Sequence, residues 1–343
     1  MNMKTKKVYL EILRVTAIML VIYNHTRSYG FLLYQNTDNL LTYYSSLTLS
    51  ILCKISVPLF FMISGVTLLG KQESVRTVYL KRVLRMVLVI LIFTFLQYLR
   101  IVRVHPSEGF SLTTYLAYCY SGNIIEPYWF LKSYLSMLLI LPILRIVAQN
   151  MKAEHYHLLR GIKVMLTAVA LVQIYTGYGM NLTFPMNTDF IFYPLLGYFL
   201  ANREESPAGT GRQRQLLWAG AAVGLLVLNV IVVAVHFKRS DQYSDALNTV
   251  FCWMLTLLVF LIFGGIRVKS ERMGRFWIAL GECTFGVYLI EDVVRNQVEK
   301  WMPRITEIFG AMTSCLIFVL FSTVIGLAVI WLVRKVPCVK RLI

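Results

Sequence analysis

The sequence predicts an all-α integral membrane protein with about ten transmembrane helices and both termini in the cytoplasm. Of its 343 residues, 57% are hydrophobic and 15% are charged, whereas soluble domains average about 45–50% apolar and about 25% charged residues. Apolar stretches recur along the chain, and most approach the ~20 residues that a helix needs to cross ~30 Å of hydrocarbon. Basic residues are distributed unevenly among the connecting segments. These observations exclude a soluble enzyme for most of the length, and the abundance of apolar residues excludes disorder.

Ten stretches are predicted to span the membrane. In chain order they are residues 8–29, 46–69, 84–104, 127–148, 162–178, 186–201, 216–236, 246–265, 276–295 and 308–333. The fifth and sixth are short and are interrupted by Gly, Pro and Asn. Because the connecting segments are short, we expect a single domain over residues 1–343, in which the spans and their connections perform the chemistry.

The positive charge supports this topology. The net charge is +17, and most of the 34 Lys and Arg residues lie in the segments predicted to be cytoplasmic, whereas residues 30–45 contain none. Such asymmetry follows the positive-inside rule, so we expect membrane lipid rather than nucleic acid as the partner of these residues.

Two ionisable residues lie on one face of the first predicted span. Arg14 and His25 are 11 positions apart, which corresponds to about three turns plus 20° of rotation and roughly 16 Å along the axis. Ionisable groups within a span are costly and indicate function. Arg14 can equally extend to the interface, and His25 can be an interhelical hydrogen-bond partner. Their common face favours a joint role.

The second and third spans contain further basic residues. Lys54 precedes a segment with Pro58 and Gly65, and a lysine buried there requires a partner. Arg82 and Arg85 are three positions apart and face the same way. Two guanidinium groups on one face can bind phosphate, although basic residues at such a position often anchor a helix among lipid headgroups.

Polar residues also mark the outer ends of the fourth and ninth spans. The fourth span begins with Glu126, Trp129 and Lys132. Aromatic residues at such a position usually belong to the interfacial belt, which does not account for the two charged residues. Glu291 lies towards the outer end of the ninth span, where it can also be a helix terminus exposed to water.

Six sequence blocks in order resemble the acyltransferase family 3 membrane proteins. These are bacterial multi-span enzymes that move acyl groups, often acetyl, from acyl-CoA to extracytoplasmic glycans. The blocks are Arg14 with His25, Val57–Gly65, Lys81-Arg82-x-x-Arg85, Trp129–Leu131, Pro194–Tyr198 and Thr284–Ile290. The resemblance covers nearly the whole chain. It departs at Glu291, because the family commonly places His directly after this Tyr-Leu-Ile sequence.

The resemblance implies an acyltransferase of the O-acetyltransferase type in the bacterial cytoplasmic membrane. Its co-substrate would be acetyl-CoA or another acyl-CoA, its acceptor a glycan or lipid-linked sugar, and no metal is expected. His25 would act as a base or carry the acyl group, with Arg14 near the pantetheine. Arg82 and Arg85 would hold the donor phosphates. Glu291, Asp292, Glu126 or Lys132 could orient His25 or the acceptor, and the sequence does not choose among them. The residues expected to bind the acceptor are Glu126, Trp129, Lys132 and Glu291.

Two other classes of function remain open at the level of sequence. Spans with Pro and Gly breaks and charged residues near the midplane also occur in secondary transporters, which commonly show internal repeats; this sequence shows none. A membrane sensor or scaffold could keep the fold without the chemistry, and the departure at Glu291 is consistent with this alternative.

Overall fold

The described part of the chain consists of helices and the segments that connect them. A computed structural model describes residues 8–106, 109–121, 124–180, 184, 188–202 and 211–343, and these residues form no β-strand. Residues 1–7 and 203–210, which belong to two predicted cytoplasmic segments, lie outside the described residues, as do residues 186 and 187 of the sixth predicted span. The predicted all-α class is therefore confirmed for the described residues.

The first nine helices cover the N-terminal half of the chain. They are α1 Val8–Asn24, α2 Leu40–Cys53, α3 Ser56–Leu68, α4 Val75–Val78, α5 Leu84–Val104, α6 Leu112–Ser121, α7 Trp129–Leu139, α8 Leu141–Asn150 and α9 Ala153–Thr176. The other nine are α10 Asp189–Asn202, α11 Arg212–Ser240, α12 Asp245–Thr249, α13 Cys252–Gly264, α14 Glu271–Gly281, α15 Thr284–Val298, α16 Met302–Phe309, α17 Ala311–Val333 and α18 Pro337–Leu342.

Six helical stretches of the described residues are long and apolar enough to cross a membrane. They are Leu40–Leu68, Val75–Val104, Ala153–Thr176, Arg212–Ser240, Asp245–Gly264 and Ala311–Val333. A seventh candidate is the pair Glu126–Leu139 and Leu141–Asn150, which is bent by 64°. The first, sixth and ninth predicted spans are instead occupied by shorter helices, so length and composition support six or seven spans where ten were predicted. The location of both termini stays a prediction.

Two of the predicted spans are interrupted near their functional residues. The second breaks at Lys54 and Ile55, between α2 and α3. Pro58 lies in the first turn of α3, where a missing N–H removes no helical hydrogen bond, so the break precedes the proline. The ninth predicted span breaks at Glu282 and Cys283, between α14 and α15. Each break places a helix end inside the helical bundle.

Helices α3 and α10 approach each other at backbone distance. A Cβ atom on Gly65 would overlap the carbonyl oxygen of Pro194, and one on Gly197 would overlap the carbonyl oxygen of Met62. Small residues permit this kind of approach between membrane helices. The contact fixes α3 next to α10, and α3 also packs against α1.

We expect Gly65→Ala to destabilise the protein, because the added methyl group would push the two backbones apart. Overpacking of this kind typically costs about 1–3 kcal/mol of unfolding free energy. Thermal denaturation of the detergent-solubilised protein measures the effect. Gly220→Ala in α11 is the matched control, since its Cβ would meet no atom within 4 Å. Equal melting temperatures for the two variants would contradict the backbone contact.

Candidate active site

His25 lies directly after α1 and contacts a carboxylate of α15. Its backbone N–H donates to the carbonyl oxygens of Val21 and Ile22, at 3.1 and 3.2 Å, so the helical hydrogen bonding of α1 extends to His25. The imidazole Nδ1 lies 3.0 Å from Oε2 of Glu291. The side chains are 17% and 3% exposed, respectively. Glu291 is therefore the direct partner of His25.

This contact determines which nitrogen of the imidazole is available. A carboxylate only accepts hydrogen bonds, so Nδ1 of His25 carries the proton and Nε2 keeps a lone pair in the neutral ring. None of the described residues hydrogen-bonds Nε2. The geometry is that of a general base oriented by a carboxylate.

Two arginines and a second carboxylate surround this pair. Nε of Arg295 lies 3.4 Å from Oε1 of Glu291, and the same guanidinium forms an ion pair with Asp292. Arg100 of α5 binds the other oxygen of Asp292. Nη1 of Arg295 also lies 3.4 Å from the carbonyl oxygen of His25. Two carboxylates and two guanidinium groups thus compensate each other within the bundle and restrict the position of Glu291.

A large cavity lies on the side of the bundle that contains Arg14. This basic cavity has a volume of about 630 Å³. Its cationic lining residues are Arg14, Lys81, Arg82, Arg85, Arg334 and Lys340. Two carboxylates, Glu73 and Glu282, also line it. The surplus of positive charge makes this cavity suitable for a polyanionic ligand.

Several of these guanidinium groups already have protein partners. Arg82 donates to Glu73 through Nε and Nη2, at 2.9 and 2.6 Å, and Arg145 donates to the same carboxylate at 2.8 Å. Arg85 donates through Nε to the carbonyl oxygen of Leu342 at 2.9 Å. Arg14 binds Glu11 through Nη1 at 2.9 Å. A bound anion would therefore meet the remaining N–H groups of oriented arginines rather than free side chains.

Arg82 also controls the ionisation of Glu73. The hydrogen bond from Arg82 has the largest effect on this carboxyl group, and that from Arg145 has a smaller one. Together they lower its pKa from 4.5 to about 2. A depressed pKa contributes stability above pH 4.5, and this contribution is lost as the pH falls towards 2. Glu73 therefore stays ionised near neutral pH and keeps Arg82 in place.

A second large cavity lies at the opposite end of α3, beside Lys54. This Lys54 cavity has a volume of about 610 Å³ and includes Glu126 and Trp129 in its lining. Glu126 is an exposed side chain 3.9 Å from Nη2 of Arg27. Trp129 is half-exposed. Two residues that were predicted to contact the acceptor therefore line the same cavity.

A small central cavity of about 40 Å³ lies beside His25 and shares lining residues with both of the larger ones. The residues it shares with the basic cavity are Phe60, Phe130 and Tyr288. Those it shares with the Lys54 cavity are Asn24, Ser56, Val57 and Trp129. Arg14 and Asn24 are ten residues apart on α1, so the series extends by about 15 Å along this helix. His25, the residue after Asn24, lines the central cavity of this series.

The chain matches the family model of the acyltransferase domain over residues 7–335. It belongs to acyltransferase family 3. The match covers essentially the whole chain, so this multi-pass membrane protein is a membrane acyltransferase. No curated protein and no solved structure matches the chain.

In this member of acyltransferase family 3, most of the predicted site residues line one of these three cavities. Arg14, Arg82 and Arg85 line the basic cavity, and His25 lines the central one. Lys132 lines none of the cavities described above; its Nζ donates to the carbonyl oxygen of Tyr120 at 2.7 Å. A role for Lys132 at the acceptor stays a prediction.

Two residues of the acyltransferase site were not predicted from the sequence. Arg295 follows Glu291 by four positions and Asp292 by three, a spacing at which helical side chains meet, so this signal was present. Arg100 contacts Asp292 across the fold, and no local pattern connects positions 192 residues apart.

Proposed function

We propose that this acyltransferase transfers an acyl group, most simply acetyl, from cytoplasmic acyl-CoA to a hydroxyl group of an extracytoplasmic or lipid-linked glycan. The observation that carries the proposal is the position of His25. Its ring is held by Glu291 and lines the small central cavity, which shares lining residues with both large ones. A base at this point can reach a donor from one side and an acceptor from the other.

The basic cavity is proposed to bind the donor. Acyl-CoA carries several phosphate charges, and guanidinium groups with fixed orientation recognise phosphate well. Apolar residues of the same cavity, including Ile63, Met86 and Leu138, would contact the pantetheine arm. The thioester would then lie near Phe60 and Phe130, which also face the central cavity. The volume of the central cavity favours a short acyl group.

The reaction requires one group that accepts a proton from the acceptor and then donates it to the leaving group. Nε2 of His25 removes the proton from the acceptor hydroxyl as its oxygen attacks the thioester carbonyl carbon. The new C–O bond forms, the C–S bond breaks, and the thiolate of coenzyme A takes the proton from the imidazolium. Glu291 keeps Nδ1 protonated throughout and stabilises the transient positive charge of the ring.

Acyl-CoA turnover by the purified protein in nanodiscs tests the proposal directly. Wild-type protein is expected to release coenzyme A from acetyl-CoA and to transfer labelled acetyl to a suitable glycan. A protein that neither releases coenzyme A nor binds an acyl-CoA analogue would contradict the proposed function and would favour a transport or sensing role.

The donor assignment predicts a specific effect of Arg85→Gln. Loss of a charged hydrogen-bond donor to phosphate is expected to weaken acetyl-CoA binding about tenfold. Because the phosphates lie far from the reacting bond, KM should rise while kcat changes little. Arg103→Gln, at the exposed opposite end of α5, is the matched control and should leave KM unchanged. An unchanged KM in Arg85→Gln would place the phosphates elsewhere.

A further inference from the structure

Lys54 is a cation in the middle of a membrane-spanning stretch. It lies at the break between α2 and α3, near the centre of Leu40–Leu68. Its Nζ lies over the ring of Phe31, 4.4 Å from the centroid, and its side chain lines the Lys54 cavity. No carboxylate among the described residues forms an ion pair with it. The mechanism proposed above does not use this charge.

The other charged residues around the cavity compensate each other. Glu126 lies 3.9 Å from Arg27, and Lys163 and Asp189 attract one another across the cavity wall. Lys54 is therefore the cation of the described lining that lacks a carboxylate counterpart. An uncompensated charge at this depth is unfavourable unless a ligand supplies the opposite charge.

The start of α3 adds hydrogen-bond donors next to Lys54. Ser56, the first residue of α3, is 4% exposed and lines both the Lys54 cavity and the central cavity. Its hydroxyl group has no hydrogen-bond partner among the described residues. The first N–H groups of a helix lack intrahelical acceptors and carry a positive partial charge. An anion near Lys54 would therefore contact an ammonium group, a buried hydroxyl group and a helix N-terminus.

We propose that the acceptor carries an anionic group, a carboxylate or a phosphate, which Lys54 and the start of α3 bind. That the acceptor is a saccharide rests on the proposed function; the anionic group rests on the cavity itself. The rings of Trp129, Tyr193 and Trp253 in the same lining offer apolar faces to the rest of the molecule. A neutral glycan would leave Lys54 without a counter-charge, so the cavity discriminates against it.

Matched saccharide probes test this inference. Methyl glucoside, methyl glucuronide and glucose 1-phosphate differ in the presence and kind of anionic group, and tryptophan fluorescence reports their binding. The protein is held in nanodiscs of neutral phosphatidylcholine, with saturating coenzyme A to occupy the basic cavity. Wild-type protein is expected to bind at least one anionic probe about tenfold more tightly than the neutral one. The preferred anionic probe distinguishes carboxylate from phosphate.

Three variants connect the preference to Lys54. Lys54→Gln is expected to remove the preference, whereas Lys54→Arg should keep it because the charge remains. Lys238→Gln, which removes the same charge from the exposed end of α11, should behave as wild type. Size-exclusion chromatography verifies that each variant is folded. The inference is overturned if wild-type protein binds neither anionic probe more tightly than the neutral one, or if the preference persists in Lys54→Gln.

The inference and the proposed function can fail separately. Probe binding is measured without any acyl donor, whereas coenzyme A release from acetyl-CoA is measured without these probes. A protein that turns over acetyl-CoA but shows no preference for anionic probes contradicts only the inference. A protein with the Lys54-dependent preference but without acetyl-CoA turnover contradicts only the proposed function.

Discussion

Replacement of His25 by alanine is expected to abolish acyl transfer and to leave the protein folded in the membrane. Nε2 of His25 is the proposed acceptor of the hydroxyl proton, and removal of a general base typically lowers the rate by about 10²–10⁴-fold. The smaller side chain would also enlarge the central cavity, but the added space contains no group that could act as the base. Transfer of labelled acetyl by protein in nanodiscs measures the loss.

His157→Ala is the matched control for this experiment. His157 is exposed near the start of α9 and contacts Arg160, so its removal should leave the rate unchanged. Retained transfer in His25→Ala would refute the assigned role. Trapping of radiolabelled acetyl on wild-type protein, but not on the variant, would instead show that His25 carries the acyl group.

Glu291→Gln is expected to produce the second large loss of activity. The amide is nearly isosteric but neutral, and it can present its NH₂ group to Nδ1, which would favour the wrong tautomer of His25. In Ser-His-Asp enzymes the equivalent change of carboxylate to amide lowers kcat about 10⁴-fold. We expect a loss of about 10²–10⁴-fold here, because both arrangements orient an imidazole in the same way.

The kinetic parameters distinguish positioning by Glu291 from a purely structural role. Glu291 does not line the basic cavity, so kcat should fall while KM for acetyl-CoA stays near its wild-type value. A misfolded site would change both parameters. Glu307→Gln removes an exposed carboxylate from α16 and should change neither. Wild-type kcat in Glu291→Gln would mean that Glu291 does not orient His25.

Hydropathy and charge were sufficient to predict a helical membrane protein, and six short blocks were sufficient to predict its family. They did not predict the break at Lys54, because average hydropathy along a segment carries no information about backbone continuity. The predicted count of ten spans is not confirmed, because length and composition support six or seven among the described residues. Hydropathy alone does not distinguish a short helix within the bundle from a complete span.

The candidate site was predicted in part for a related reason. Helical geometry placed Arg14 and His25 on one face, and the two residues line cavities that share Phe60, Phe130 and Tyr288. The contact between His25 and Glu291 joins positions 266 residues apart, so the sequence could name Glu291 only as one of several residues able to orient His25. The guanidinium group of Arg82 binds the carboxylate of Glu73. The three-residue spacing of Arg82 and Arg85 could not show whether their partner is a protein carboxylate or the phosphate of a ligand.

The narrow aromatic boundary between the basic and central cavities has an energetic consequence for the cell. Phe60 and Phe130 pack with ring centroids 6.0 Å apart, and Phe130 packs on Tyr288 at 5.4 Å. A water-filled channel through a site with a titratable imidazole would conduct protons and dissipate the electrochemical gradient across the membrane. In the proposed mechanism, the acyl group passes this boundary from one side of the bilayer to the other. Coenzyme A stays on the cytoplasmic side, and the electrochemical gradient is preserved.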